Sequence, residues 1–222
     1  MPGLALALWA LFGITAVVVR VLIHLRRTGT TGVRGISGRI GSAEWLGGVA
    51  FVASIALGVA APVLDQADAI DPIDALDGVA AHVAGLALFG LGLAGVLWSQ
   101  QSLGRSWRIG VEEGELTTLV TGGPFELVRN PIYTAMMAVV LGLALLVPSV
   151  VSLVAVALMM IALELQTRLV EEPYLLRSHG EAYAAYAGRV GRFLPGIGTL
   201  PATGSSRPSP QGPAGPSRRR AP

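Results

Sequence analysis

Five apolar segments separated by polar ones most constrain how this chain can fold. They occupy residues 4–25, 43–64, 78–98, 132–147 and 150–167. A helix needs about 20 apolar residues to cross the ~30 Å hydrocarbon layer, so the first three can span and the last two are short for it. Pro148-Ser149 between those two predicts a tight helical hairpin. Only 14% of the residues are charged, which is low for a soluble domain.

The distribution of charge between these segments predicts their orientation. Residues 65–77 hold five aspartates and no cation. Arginines follow the first, third and fifth segments, at Arg26, Arg27, Arg34, Arg39, Arg105, Arg108, Arg129, Arg168, Arg177, Arg189 and Arg192. The positive-inside rule then predicts a cell (plasma) membrane protein with its N-terminus outside. The fold class is an all-α integral membrane protein with about five transmembrane helices and a cytoplasmic C-terminal helical segment.

Three regions follow from this pattern. Residues 1–98 form three N-terminal transmembrane helices with the acidic external loop. Residues 99–195 form a core with a helical hairpin at 131–168. Residues 196–222, rich in Pro, Gly, Ser and Arg, are expected to be a disordered tail. The three arginines at 218–220 either contact anionic lipid or complete the positive-inside signal.

Composition excludes several kinds of chemistry. The chain has no cysteine and no lysine, which removes thiolate nucleophiles and Schiff-base lysines. Its three histidines are scattered in sequence, so we expect no metal site. No phosphate-binding loop motif is present, and we expect no nucleic-acid partner.

A first polar cluster precedes the fourth apolar segment. Gly123-Pro124 predicts a turn whose backbone can approach a ligand closely. Asn130 is either a helix N-cap or a hydrogen-bonding site residue, and Arg129 either an interfacial anchor or a ligand contact. Tyr133 follows one turn into the helix.

A second polar cluster follows the fifth apolar segment. Glu164 and Arg168 are spaced for an ordinary helical ion pair. Glu171 and Glu172 should point in different directions, so that one can face a ligand. Tyr183, Tyr186 and Arg189 recur every third residue and predict one helical face. Such a face suits a zwitterionic aromatic ligand, and an amphipathic helix lying in the membrane interface is the alternative.

Together the two clusters resemble the isoprenylcysteine carboxyl methyltransferase family, which is related to phospholipid methyltransferases. The resemblance covers roughly residues 99–195 and includes the stretches 123–135 and 171–195. It departs at Asn130, where the family usually has His, at Ala135, where it has Gly, and at Gly191, where Pro is usual. Gly191 is therefore expected to loosen the local backbone.

The resemblance implies a membrane methyltransferase that uses S-adenosylmethionine and a lipophilic acceptor from the bilayer, such as an isoprenoid or prenyl carboxylate. The residues implied or expected to bind the cofactor are Gly123, Pro124, Arg129, Asn130, Tyr133, Glu171, Glu172, Tyr183, Tyr186 and Arg189. Arg189, Arg192 and Glu171 are the candidates for catalysis, because they can position a carboxylate and balance charge. The alternatives are a membrane NAD(P)H-dependent reductase of a sterol or isoprenoid, and a non-catalytic lipid-binding protein.

Overall fold

The computed structural model describes residues 1–31, 36, 38–104 and 119–200, and those residues are largely helical. The α-helices are α1 (Pro2–Phe12), α2 (Arg20–Thr28), α3 (Ala43–Gln66), α4 (Val79–Leu103), α5 (Pro131–Leu146), α6 (Val150–Leu165) and α7 (Glu172–Ala187). A π-helical segment, Gly13–Val19, joins α1 to α2, and a second, Gln166–Glu171, joins α6 to α7. A 3₁₀ turn, Gly123–Glu126, precedes α5.

Four of these helical stretches are long and apolar enough to cross a membrane. They are Pro2–Arg26, Ala43–Gln66, Val79–Leu103 and Val150–Ala187, and α5 is a shorter apolar helix. This confirms the predicted helical membrane class. The fourth predicted segment forms a helix of 16 residues, which is short for a full crossing. The predicted hairpin is present, because α5 ends at Leu146 and α6 begins at Val150.

Small residues bring α4 and α5 into close contact. A Cβ placed on Gly92 would lie 2.7 Å from the Ala135 carbonyl oxygen, and one on Gly85 would lie 2.7 Å from that of Gly142. Backbones that approach this closely gain dispersion contacts that lipid tails do not replace. Gly85 and Gly92 of the third apolar segment therefore serve helix packing. The predicted boundary at residues 98 and 99 falls inside α4.

Hydrogen bonds connect the first π segment and α2 to the C-terminal end of α4. Gln100, which is buried, donates through Nε2 to the Ala16 carbonyl at 2.8 Å, inside the first π segment. A π segment departs from the regular α-helical hydrogen-bond pattern, and here one of its carbonyls accepts a bond from a side chain of α4. Arg20, also buried, donates from Nη2 to the Gly104 carbonyl at 2.6 Å, just past the end of α4.

The last long helix is longer than one membrane crossing requires. The stretch Val150–Ala187 has 38 residues, whereas a crossing needs about 20. The second π segment begins at Gln166, about where a crossing that starts at Val150 would end. Within α7 the helix is interrupted at Gly180, whose φ of 51° and ψ of −126° suit glycine rather than residues with a Cβ.

The chain after α7 folds back against the start of α5. Leu200 donates its amide to the Ala187 carbonyl at 2.9 Å, and Arg192 donates to the Ile197 carbonyl at 2.8 Å. Residues 196–200, which the sequence assigned to the tail, therefore belong to the folded part of the chain. The structure does not describe residues 201–222, nor Arg34, Arg105 and Arg108, so the predictions for them stay predictions.

Candidate functional site

A buried group of three charged side chains lies where α5, α7 and the C-terminal segment meet. Glu172 Oε1 accepts from Arg129 Nη2 at 2.6 Å and from Arg192 Nε at 2.8 Å, and its Oε2 accepts from Arg192 Nη2 at 2.9 Å. All three residues are at most 9% exposed. The hydrogen bonds to Glu172 raise the pKa of the Arg192 guanidinium above its ordinary value. We call Arg129, Glu172 and Arg192 the clasp.

Arg129 also donates hydrogen bonds to three backbone carbonyls. Its Nη1 donates to Ala187 at 2.9 Å and to Val190 at 2.5 Å, and its Nη2 donates to Gly198 at 2.9 Å. These bonds tie the end of α7 and the returning chain to the start of α5. Arg129 was expected to bind a ligand, but its terminal nitrogens contact the protein itself.

The backbone beside the clasp is tightly packed. The Arg129 amide donates to the Gly191 carbonyl at 2.8 Å, and Val128 forms an isolated β-bridge with Gly191. A Cβ on Gly191 would overlap the Leu194 carbonyl oxygen and lie 2.8 Å from the Gly196 nitrogen. The expectation that Gly191 loosens the local backbone is therefore wrong. The glycine is needed because the backbone of Leu194 and Gly196, a few residues later in the same turn, approaches it closely.

Glu171 and Glu172 have different partners, as the sequence predicted. Tyr133, one turn into α5, donates its hydroxyl to Glu171 Oε1. Glu171 is the last residue of the second π segment, and it is only partly buried, whereas Glu172 lies within the clasp. Successive residues of a helix differ by about 100° in direction, which separates the two carboxylates.

Tyr183, Tyr186 and Arg189 do not share one helical face, so that prediction is wrong. α7 ends at Ala187, and Arg189 is exposed beyond it. Tyr183 is 1% exposed, and its ring centroid lies 6.1 Å from that of Tyr186. Tyr186 donates its hydroxyl to the Phe125 carbonyl at 2.6 Å, which ties α7 to the 3₁₀ turn.

The remaining predicted residues hold that turn and the start of α5. Pro124 is buried in the 3₁₀ turn, and the Gly123 amide donates to Glu126 Oε1 at 3.2 Å. Asn130 precedes α5 without a side-chain cap. Its Nδ2 donates instead to the Arg192 carbonyl at 3.2 Å, so the amide side chain fixes the C-terminal segment.

Three buried polar atoms in these segments have no hydrogen-bond partner among the residues that the structure describes. They are Arg129 Nε, Thr167 Oγ1 and His179 Nε2. Neither Thr167 nor His179 was predicted from the sequence to be a site residue, although His179 lies in the stretch 171–195 that carries the family resemblance. A buried polar atom without a partner costs about 1–3 kcal/mol, so such atoms favour a ligand or a bound water nearby.

A small apolar cavity elsewhere in the bundle is a weaker candidate. It lies among α1, α3, α5 and α6, toward the end opposite the clasp, and its lining includes Trp9, Pro62, Leu143 and Ser152. None of its lining residues is titratable, so it offers no group for acid–base or charge-stabilising chemistry.

A comparison with protein families selects a stretch of the chain that contains part of this site. Residues 80–182 match the family model of the phospholipid methyltransferases. The matched stretch contains α4, α5 and α6 and ends within α7, so it includes Arg129, Tyr133, Glu171 and Glu172. A search of curated proteins and a search of solved structures gave no significant match. The family match confirms the resemblance to membrane methyltransferases and does not specify a prenylcysteine substrate.

Proposed function

We propose that this protein is an S-adenosylmethionine-dependent methyltransferase that acts on a lipophilic acceptor at the cytoplasmic face of the cell membrane. The observation that carries the proposal is the match over residues 80–182, because the matched stretch holds both glutamates together with Arg129 and Tyr133, which contact them. The arginine-free acidic segment at 65–77 supports the orientation.

The polar groups of the site fit an adenosyl amino acid. Glu171 can accept from an amine or a ribose hydroxyl, and exposed Arg189 can pair bidentately with a carboxylate. The cofactor supplies an electrophilic methyl group on a sulfonium. The clasp holds two guanidiniums and one carboxylate, so its net positive charge favours an anion nearby.

In this proposal the predicted residues divide into two roles. Tyr133, Glu171 and Arg189 contact the cofactor, with Glu171 and Arg189 also placed to balance charge. Arg129, Glu172 and Arg192 position the segment that carries Arg189, and Asn130, Tyr183 and Tyr186 support them. Gly123 and Pro124 fix the turn on which Tyr186 rests.

Two classes of acceptor fit the site. An isoprenoid or prenyl carboxylate is already ionised at neutral pH and needs no general base. Asn130 agrees with this, because its amide does not titrate near neutral pH and is engaged with the Arg192 carbonyl. A phospholipid amine is the second class, and the description of the matching family favours it.

Calorimetry with purified protein in detergent tests the cofactor. We expect S-adenosylhomocysteine to bind and nicotinamide nucleotides not to bind. The opposite result would favour the reductase alternative, and binding of neither would favour a non-catalytic lipid-binding protein.

Transfer of a radiolabelled methyl group to membrane lipids tests the acceptor. A carboxylate acceptor gives a methyl ester, which releases volatile labelled methanol in mild base. An amine acceptor gives an N-methyl group, which is stable in base. Mass spectrometry of lipids from a deletion strain should show the loss of the same methylated species.

A further inference from the structure

His179 has a ring nitrogen without a hydrogen-bond partner among the described residues, and the proposed function gives this residue no role. His179 Nε2 is fully buried and has no hydrogen-bond partner in the part of the chain that the structure describes. An imidazole nitrogen left this way loses its hydrogen bonds to water and gains none from the protein. Each such atom in a native structure needs an explanation, and a bound ligand or water supplies one.

The backbone next to His179 has an unusual conformation. Gly180 interrupts α7 with a φ of 51° and a ψ of −126°. A Cβ placed on Gly180 would meet no atom within 4 Å, so lack of space does not explain the glycine. The conformation itself requires it, and the kink sets the direction of His179 relative to the helix that carries Tyr183.

His179 lies between two residues of the described site along the chain. It comes seven residues after Glu172 and four before Tyr183, both of which are buried, and it is itself partly buried. Leu175, one turn earlier, packs against the cluster of Tyr183 and Tyr186. The imidazole is thus on the helix that joins the carboxylates to the aromatic pair.

We propose that His179 Nε2 forms a hydrogen bond with the nucleoside part of the methyl donor. This inference rests on the proposed function. An imidazole can accept from a ribose hydroxyl or an exocyclic amine, or donate to a ring nitrogen. His179 is a binding residue in this proposal, and methyl transfer needs no proton from it.

The test compares His179→Leu with wild type in two measurements, the affinity for S-adenosylhomocysteine and the melting temperature without ligand. The leucine variant should bind about 3- to 10-fold more weakly, as expected for one lost hydrogen bond. Its melting temperature without ligand should be unchanged or higher, because a buried polar atom without a partner is removed. If the histidine were only structural, the leucine variant would bind with unchanged affinity and would melt at a lower temperature.

Two further variants sharpen the test. His179→Gln keeps a hydrogen-bonding group on the side chain and should retain more affinity than leucine does. His82→Leu makes the same chemical change beside Asp77, at the opposite end of the bundle, and should leave affinity unchanged. Unchanged affinity in His179→Leu, or a loss accompanied by a lower melting temperature without ligand, would overturn the proposal. If wild type itself does not bind, the proposed function fails, and this inference fails with it.

Discussion

Tyr133 donates its hydroxyl to Glu171 across the junction between α5 and the second π segment, whereas Glu172, the next residue, is held by two arginines. Two adjacent carboxylates therefore have different surroundings. Glu172 forms buried ion pairs that stabilise the fold, whereas Glu171 lies at the partly exposed edge of the site. This contrast predicts that substitutions at the two glutamates will affect different measurements.

Replacing Glu171 or Arg189 by alanine should weaken S-adenosylhomocysteine binding by about 1.5–3 kcal/mol, as expected for a lost charge-assisted hydrogen bond. Tyr133→Phe should cost less, because Tyr133 acts partly through Glu171. Calorimetry measures all three. Glu164→Ala is the matched control, since Glu164 pairs with exposed Arg168 one turn away on the same helix. Unchanged affinity in folded Glu171→Ala and Arg189→Ala proteins would show that both residues are structural.

Replacing Glu172 by alanine should destabilise the protein by about 3–5 kcal/mol, because two buried guanidiniums would lose their shared carboxylate. Glu171→Ala should cost much less, since its carboxylate is not shared by two buried cations. The measurement is thermal or denaturant unfolding in detergent. Equal losses of stability in the two variants would contradict the structural role given to the clasp.

Two glycines two residues apart in α4 should respond differently to alanine. Gly92→Ala should destabilise the protein, because the added Cβ would lie 2.7 Å from the Ala135 carbonyl oxygen and force α4 away from α5. Gly90→Ala should be neutral or stabilising, because nothing lies within 4 Å of its Cβ and alanine favours a helix. The measurement is the melting temperature of each variant. Equal melting temperatures for the two variants would argue against close packing of α4 and α5.

Reporter fusions should place the acidic segment outside and the C-terminus inside. Alkaline phosphatase inserted at Asp71 should be active, and the same enzyme fused after Leu200 should be inactive. The second junction lies after Leu200 because Arg129 uses the Gly198 carbonyl. The reverse activities would invert the predicted orientation.

The pH–rate profile of wild type, Asn130→His and Asn130→Ala separates the two acceptor classes. For a carboxylate acceptor we expect no essential base titrating between about pH 6 and 8, and Asn130→His should add none. Asn130→Ala should lose more activity than Asn130→His, because the hydrogen bond to the Arg192 carbonyl is removed. A wild-type base titrating in that range would favour an amine or hydroxyl acceptor.

The sequence by itself determined the helical membrane class and the two polar clusters. Length and apolar content mark spanning helices because the hydrocarbon layer has a fixed thickness. The hairpin at Pro148-Ser149 and the divergence of Glu171 from Glu172 follow from local geometry. The small residues of α4 likewise indicated helix contact, which the structure shows at Gly85 and Gly92.

Only the tertiary structure decided which polar residues stabilise the fold through contacts with other parts of the protein. Arg129, Glu172 and Arg192 are far apart in sequence, and their pairing depends on the return of the chain after α7. Arg189 does not share a helical face with Tyr183 and Tyr186, because α7 ends at Ala187. Local periodicity cannot report such contacts, because burial and hydrogen bonding depend on which segments meet, and that is set by packing between elements distant along the chain.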